Sequence, residues 1–254
     1  MANDIVANDP VTAALLVIGD EILSGRTKDK NIGHIAEYLT GIGIDLREVR
    51  VVPDMAEEIV AAVNALRARY TYLFTTGGIG PTHDDITADC IAQALGRGID
   101  IDPRAVAMMR ERYAEGELNE ARLRMARIPE GADLIENPIS KAPGFMLENV
   151  IVMAGVPSIM QAMLDAVAPR LRAGARMIVE TIDAAGLAEG HYANGLAALA
   201  KAHEGVSLGS YPSFTGSGFR NQIVVRGRDA QAVAAAAEAV RALLASLAGD
   251  AAPI

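Results

Sequence analysis

Two neighbouring carboxylates, Asp84 and Asp85, closely follow a glycine-rich turn at residues 77–81, whose sequence is Gly-Gly-Ile-Gly-Pro. A β-rich run at 71–76 precedes the turn, and the residues after the carboxylates predict a helix with one apolar face. A strand, a glycine loop and the start of a helix together present free backbone N–H groups to a phosphate. Two carboxylates would repel that phosphate unless a cation lay between them. The stretch therefore predicts a nucleotide-and-metal site.

The turn differs from two familiar phosphate-binding loops. It has no Gly-Lys-Ser or Gly-Lys-Thr, so it is not a P-loop, and His83 stands where the dinucleotide-binding fingerprint has its third glycine. A tight turn with Asp84 or Asp85 as the N-cap of the helix is the alternative interpretation. Three glycines, a proline, two acids and Thr87 within eleven residues favour the functional interpretation.

The run from Thr75 to Thr87, TTGGIGPTHDDIT, resembles the signature of the MoaB/Mog-type molybdopterin-binding domain. It resembles more closely the form found in the N-terminal domain of the competence-damage-inducible CinA family. The likeness is specific in its long form, GG-x-GP-x-x-DD-x-T, and covers roughly residues 12–170. We expect the C-terminal deamidase domain of full-length CinA proteins to be absent, and nicotinamide-nucleotide deamidation with it.

A second group of candidate residues follows the apolar run at 13–18. The polar loop there, GDEILSGRTKDKN, resembles the family motif GDE-I-L-x-G and contains Asp20, Glu21 and Asn31. Ligands of open α/β sheets bind at the carboxyl ends of strands, so this loop predicts one wall of the site. A plain turn is the alternative.

Three other strand ends and loops supply further candidates. Asp54 follows the strand predicted at 44–52; it either caps the next helix or, as the resemblance implies, faces the ligand. Lys141 is the only basic residue of a loop that resembles the family segment closing over the bound nucleotide. Gly155 lies at a second strand-to-helix junction with free N–H groups, which matches a family turn.

Composition excludes some classes of function. The net charge is −9 and only 4% of residues are aromatic, so a nucleic-acid partner is not expected. The N-terminal residues 1–11 predict a loose arm without a secretory signal, and no run of 18 apolar residues predicts a membrane span. We expect a cytoplasmic protein. The single cysteine, Cys90, lies on an apolar helix face and is expected in the core.

The order of elements predicts a three-layer αβα domain with a mostly parallel sheet over residues 1–173. A small α+β domain with the order β-α-β-β-α is expected over 174–254, including a glycine-serine turn at 215–218, and it resembles the small domain that follows in CinA proteins. A helix predicted at 117–127 carries Arg122, Arg124 and Arg127, an arrangement typical of a solvated face or of one that covers a partner's acids; one of the three could reach a phosphate, but the sequence does not single it out.

Two functions are expected from the resemblance. The first is hydrolysis of a nucleoside-diphosphate-linked compound such as ADP-ribose or FAD, in which a divalent ion such as Mg²⁺ activates water. The alternative is molybdopterin binding or adenylyl transfer, which Ile79 in place of the family's threonine and the appended small domain make less favoured. A non-catalytic nucleotide-binding module is a third alternative.

The same residues serve each alternative. The partner is a nucleotide or a pterin, and a homodimer is expected because closed two-fold dimers are the commonest oligomers. The catalytic candidates are Asp54, Asp84 and Asp85, of which Asp84 and Asp85 are the metal ligands. The substrate-binding candidates are Asp20, Glu21, Asn31, Thr76, Gly77, Gly78, Gly80, Thr87, Lys141 and Gly155.

Overall fold

A computed structural model describes residues 10–114, 116–184, 186–215 and 218–250. The chain divides into unit 1, which ends at Gly174, and unit 2, which begins at Ala175. Residues 1–9 of the predicted arm and residues 216–217 of the predicted turn lie outside the described residues.

Unit 1 alternates strands and helices along most of its length. In chain order its elements are β1 (Val11–Ile18), α1 (Asp20–Leu23), α2 (Asn31–Gly41), β2 (Ile44–Val52), α3 (Ala56–Arg69), β3 (Tyr72–Thr76), α4 (Thr87–Leu95), β4 (Ile99–Ile101), α5 (Pro103–Arg110), α6 (Glu120–Leu123), β5 (Arg127–Pro129), β6 (Asp133–Ile135), β7 (Gly144–Leu147), β8 (Val150–Met153) and α7 (Pro157–Val167).

The central sheet of unit 1 has the strand order β2-β1-β3-β8-β7-β6. The first four strands run parallel, whereas β7 and β6 run antiparallel to their neighbours. Strand β1 is apolar from Ala13 to Ile18 because both of its faces are covered there. Leu16 packs in one core cluster with α3 and α4, and Leu15 packs in the other with α2 and α7. The predicted three-layer, mostly parallel architecture is confirmed.

The register brings the carboxyl ends of four strands to one edge of this sheet. Ile18 of β1 is paired with Val52 of β2, and Thr76 of β3 is paired with Val17 of β1 and with Met153 of β8. The polar loops that follow these strands therefore start side by side. This edge is where an open α/β sheet binds its ligands.

The helix predicted at 117–127 is wrong in most of its length. Only α6 is α-helical there; a 3-10 turn at Arg124–Ala126 follows it, and Arg127 already begins β5. Strand β5 pairs antiparallel with β4, and this pairing ends the helix. The three arginines consequently point to different neighbours. Arg122 lies over the ring of Tyr113 at 4.6 Å, and Arg127 pairs with Asp89.

Unit 2 is the expected small α+β domain. Its elements are β9 (Ile178–Asp183), α8 (Glu189–Ala202), β10 (Val206–Tyr211), β11 (Phe214–Thr215), β12 (Gly218–Phe219), β13 (Gln222–Gly227) and α9 (Ala230–Asp250). Strands β10, β13 and β9 form an antiparallel sheet in that order, and the short pair β11 and β12 is an addition to the predicted order.

Helix α9 is the one described helix long and apolar enough by composition to cross a membrane. Its buried side chains, among them Val233, Ala236 and Val240, pack with Ile223 and Val225 of β13 in the core of unit 2. The apolar composition of α9 is therefore that of a helix that covers a sheet.

The burial of Cys90 can be tested through the reactivity of its thiol. Its side chain is 2% exposed in the core beneath α4, and burial raises the pKa of the thiol to about 11. At pH 8 about one thiol in a thousand is ionised, so iodoacetamide should label the native protein only through opening of the fold. Mass spectrometry should show full labelling in guanidinium chloride. Rapid stoichiometric labelling without denaturant would contradict this packing.

Candidate functional site

The loops that follow β1, β3 and β8 line a cavity of about 220 Å³, here called the strand-end cavity. It brings together the predicted residues Glu21, Asn31, Thr76, Gly77 and Gly155. The other lining residues are Val17, Ile18, Ile22, Thr27, Lys28, Asp29, Lys30 and Pro157. Residues from three predicted loops, distant in sequence, thus face one space.

The glycine turn passes very close to the end of β1. A Cβ atom on Gly77 would lie 2.1 Å from the carbonyl oxygen of Ile18, and a Cβ on Gly78 would lie 2.2 Å from the hydroxyl of Thr87. Both glycines have positive φ, 101° and 66°. The turn therefore requires glycine at both positions, for space and for backbone conformation.

Thr87 holds the turn against the start of α4. Its fully buried hydroxyl donates a hydrogen bond to the carbonyl of Gly77 at 2.9 Å, and its backbone N–H donates to the carbonyl of Gly78 at 3.0 Å. Thr87 was predicted to bind substrate. In the structure its observed contacts fix the shape of the turn.

Two side chains that line the strand-end cavity each carry a buried oxygen without a partner among the described residues, the Oδ1 of Asn31 and the Oγ1 of Thr76. The side chain of Asn31 is held in place because its Nδ2 donates to the carbonyl of Gly155 at 2.8 Å. Asp29 caps the same helix end by accepting from the N–H groups of Asn31 and Ile32. Buried polar atoms normally have partners, so these two mark a place where a polar group binds.

Four carboxylates form an acidic cluster beside the cavity: Asp20, Glu21, Asp54 and Asp84. The side chain of Asp54 accepts a hydrogen bond from the N–H of Asp20 at 2.9 Å. Burial first, and then the negative charges of Asp20, Glu21 and Asp84, raise the pKa of Asp54 above its usual value. Ionisation of Asp54 is thus disfavoured by its burial and by the neighbouring negative charges.

The two lysines of the same loop, Lys28 and Lys30, form a basic rim on the strand-end cavity. Neither makes an ion pair or a hydrogen bond with another described side chain. The sequence analysis did not predict this rim, because it selected the acids and the asparagine of the loop as candidates and not the lysines. The signal was present in the alternation Lys-Asp-Lys, which places both cations on either side of the capping Asp29.

Asp84 and Asp85 have different surroundings. Asp84 belongs to the acidic cluster and is exposed, whereas Asp85 accepts hydrogen bonds from the N–H and the hydroxyl of Thr82, at 2.8 and 2.5 Å. Among the described residues, no group of three or more His, Cys, Asp or Glu side chains is arranged to hold a metal ion. The acidic cluster is therefore not preassembled as a metal site, and the predicted pair of metal ligands, Asp84 and Asp85, stays a prediction.

The remaining candidates lie apart from the strand-end cavity. Gly78, Gly80 and Asp85 line a second, small cavity together with Arg124. Lys141 is paired with Glu111 at 2.5 Å and lines neither of these cavities. Lys141 was proposed to contact phosphate from the sequence alone. In the structure its ammonium group pairs with the carboxylate of Glu111.

Comparison with known proteins gives two family matches along the chain. Residues 14–173 match the family described as probable molybdopterin binding domain, and residues 176–249 match the family described as FAD synthase, middle domain.

Curated relatives and a solved structure extend the match. A protein of Aeropyrum pernix is 40% identical over 159 residues, which cover 60% of this chain and 59% of that protein. A CinA-like protein of Desulfosudis oleivorans is 37% identical over 209 residues, 78% of this chain and 51% of that protein. The chain thus spans only about half to six tenths of the length of these relatives.

The crystal structure of the protein CinA, of unknown function, from Thermoplasma acidophilum is 36% identical. The aligned region covers 63% of this chain and 97% of the chain in that crystal structure, with a TM-score of 0.60. The predicted resemblance to a MoaB/Mog-type domain of the CinA kind is confirmed. Because the match at residues 14–173 spans more than half of its length, the chain belongs to the family of probable molybdopterin binding domains.

Proposed function

We propose that unit 1 binds a phosphorylated heterocycle, a molybdopterin-type pterin or a nucleotide, in the strand-end cavity. The observation that carries the proposal is the pair of buried, unpartnered oxygens on Asn31 and Thr76 beside the basic rim. The family description, which names molybdopterin binding, supports the pterin as ligand.

The hydrogen-bonding capacity of the cavity suits a polar ring. The Oδ1 of Asn31 is an acceptor, and the hydroxyl of Thr76 both donates and accepts. Pterins and purines carry ring N–H or amino donors next to ring-nitrogen acceptors. The volume of about 220 Å³ is an order of magnitude more than the ~10–15 Å³ that one water needs, so the cavity admits a group of ring size.

The charges near the cavity orient that ligand. Lys28 and Lys30 line the cavity without protein partners, and they are free to pair with a phosphate. Of the acidic cluster only Glu21 lines the cavity, and its carboxylate would repel a phosphate placed beside it. The ring therefore occupies the pocket of Asn31 and Thr76, and the phosphate lies toward the basic rim.

As a second candidate function we propose metal-dependent hydrolysis of a nucleoside-diphosphate-linked compound such as ADP-ribose or FAD. The observation that favours it is the acidic cluster, whose mutual repulsion a bound divalent cation would relieve. The match of unit 2 to the FAD synthase middle domain supports a flavin nucleotide as one such compound. Because no metal site is preassembled, the cluster must rearrange when it binds the ion.

The proposal includes the cell compartment and the oligomeric state that were predicted from the sequence. A cytoplasmic homodimer that binds a small molecule remains a prediction, supported by the acidic composition and by the prevalence of two-fold dimers.

The hydroxyl of Thr76 can be tested against its neighbour. Thr76→Val and Thr75→Val each remove a buried hydroxyl that has no partner, but only Thr76 lines the cavity. Neither change should lower the melting temperature, because no hydrogen bond is lost. In calorimetric titrations with neopterin monophosphate and with AMP, Thr76→Val should bind about fivefold to tenfold more weakly than the wild type, roughly 1–1.4 kcal/mol. Thr75→Val should bind both ligands with wild-type affinity. Equal affinities of the two variants would show that the hydroxyl of Thr76 does not contact the ligand.

The basic rim can be tested by comparing ligands with and without phosphate. We expect Lys28→Gln and Lys30→Gln each to weaken binding of AMP and neopterin monophosphate by about threefold to tenfold, less at high salt. Binding of adenosine and neopterin should stay unchanged. Lys201→Gln, the same change on α8 of unit 2, is the control. A loss that is the same for adenosine and AMP would show that the rim does not contact phosphate.

The acidic cluster gives a prediction with opposite signs for stability and metal affinity. Because the folded state raises the pKa of Asp54, ionised Asp54 destabilises the fold at pH 7. Asp54→Asn should therefore raise the melting temperature, and this gain should shrink as the pH falls toward 4 and the native carboxyl takes up its proton. Affinity for Mg²⁺ should fall about tenfold, roughly 1.4 kcal/mol. Asp133→Asn, at an exposed carboxylate on β6, is the control; unchanged Mg²⁺ affinity in Asp54→Asn would refute the metal role.

A further inference from the structure

Arg124 is the one arginine of its segment without a protein partner among the described residues. Arg122 stacks on Tyr113 and Arg127 pairs with Asp89, whereas the side chain of Arg124 makes no ion pair or hydrogen bond with a described residue. Its Nε atom is buried and lacks an acceptor. A buried donor without an acceptor costs free energy, and more so when it is charged.

The small cavity beside this guanidinium, the Arg124 cavity, is lined by the far side of the glycine turn. Gly78, Ile79 and Gly80 line it, and their backbone N–H groups donate to no described acceptor. Its volume of about 20 Å³ is room for one oxygen-sized group. Donors of two kinds, a guanidinium and backbone amides, therefore surround a space the size of one anion oxygen.

The acids of the Arg124 cavity do not neutralise Arg124. Asp85 accepts from both the N–H and the hydroxyl of Thr82, and Asp89 accepts from Arg127. Both carboxylates line the cavity, yet neither bonds to Arg124. The positive charge of Arg124 is thus left for a group from outside the chain.

We propose that Arg124 binds a second anionic group of the ligand, one oxygen of which enters the Arg124 cavity. The inference rests on the proposed function and deepens it. Gly77 lines the strand-end cavity and Gly78 lines the Arg124 cavity, so adjacent residues of one turn line the two spaces. A ligand that reaches both carries a diphosphate or two separate anionic groups, and it is preferred over its monophosphate counterpart.

The test compares ADP with AMP in calorimetric titrations. Wild-type protein should bind ADP more tightly than AMP. Arg124→Gln should weaken ADP binding about tenfold and AMP binding less than twofold, and Arg124→Lys, which keeps the charge, should recover part of the difference. Arg122→Gln removes the same charge two residues away and should change neither affinity. The melting temperature of Arg124→Gln should not fall, because no protein contact is lost.

The possible outcomes separate the two proposals. Equal weakening of ADP binding and AMP binding by Arg124→Gln, or no change in either affinity, would overturn the proposed subsite. The guanidinium of Arg124 would then be hydrated and would not bind the ligand. If the wild-type protein binds neither nucleotide, the proposed function fails for nucleotides, and inorganic pyrophosphate decides the subsite instead. Pyrophosphate should then raise the melting temperature of the wild type and of Arg122→Gln but not of Arg124→Gln; no rise in the wild type overturns the inference.

Discussion

The close approach of Gly77 to the end of β1 is the constraint on which the site depends. Strands β1 and β3 are parallel neighbours, so the chain that leaves β3 must pass the carbonyl of Ile18, where a Cβ atom would lie only 2.1 Å away. Glycine alone permits that passage at a φ of 101°. Once the chain has turned there, Thr87 fixes it to α4, and the turn becomes a wall with a cavity on either side.

Charge is divided unevenly along this edge of the sheet. In a chain of net charge −9, the acidic cluster around Asp54 repels anions, while Lys28, Lys30 and Arg124 are three cations without described partners. Such a division does little for stability, because exposed unpaired charges contribute little and neighbouring like charges repel. It does define the direction in which an anionic ligand lies, since electrostatic complementarity governs orientation more than affinity.

The sequence was most informative where a single local pattern decides the structure. Strand β1 was predictable because a run that is apolar at every position must be covered on both faces, and the glycine turn was predictable because three glycines and a proline have few other uses. Asn31 and Gly155 were proposed separately, from their loops and a family likeness. That the side chain of one bonds to the other follows from sheet register, which no local pattern contains.

The failures have physical causes of the same kind. Arg124 was placed on a solvated helix face because its segment has helical spacing, but pairing of β5 with β4 ends the helix and redirects each arginine. Lys141 was proposed for phosphate because it is the only cation of its loop, and that role stays a prediction, but its pairing with Glu111, thirty residues away in sequence, was not foreseen. Long-range pairing therefore limited the prediction of side-chain roles more than the prediction of elements.

The bond between Thr87 and the glycine turn has a practical consequence through Cys90. Thr87 is the first residue of α4, and Cys90 lies one helical turn further along the same helix, with its thiol in the core. A ligand that settles on the turn restrains α4 through Thr87, and local opening of that helix then becomes rarer. We therefore expect the rate at which the single thiol is labelled to fall when the proposed ligand binds, so that this rate would report occupancy without a dye or an engineered label.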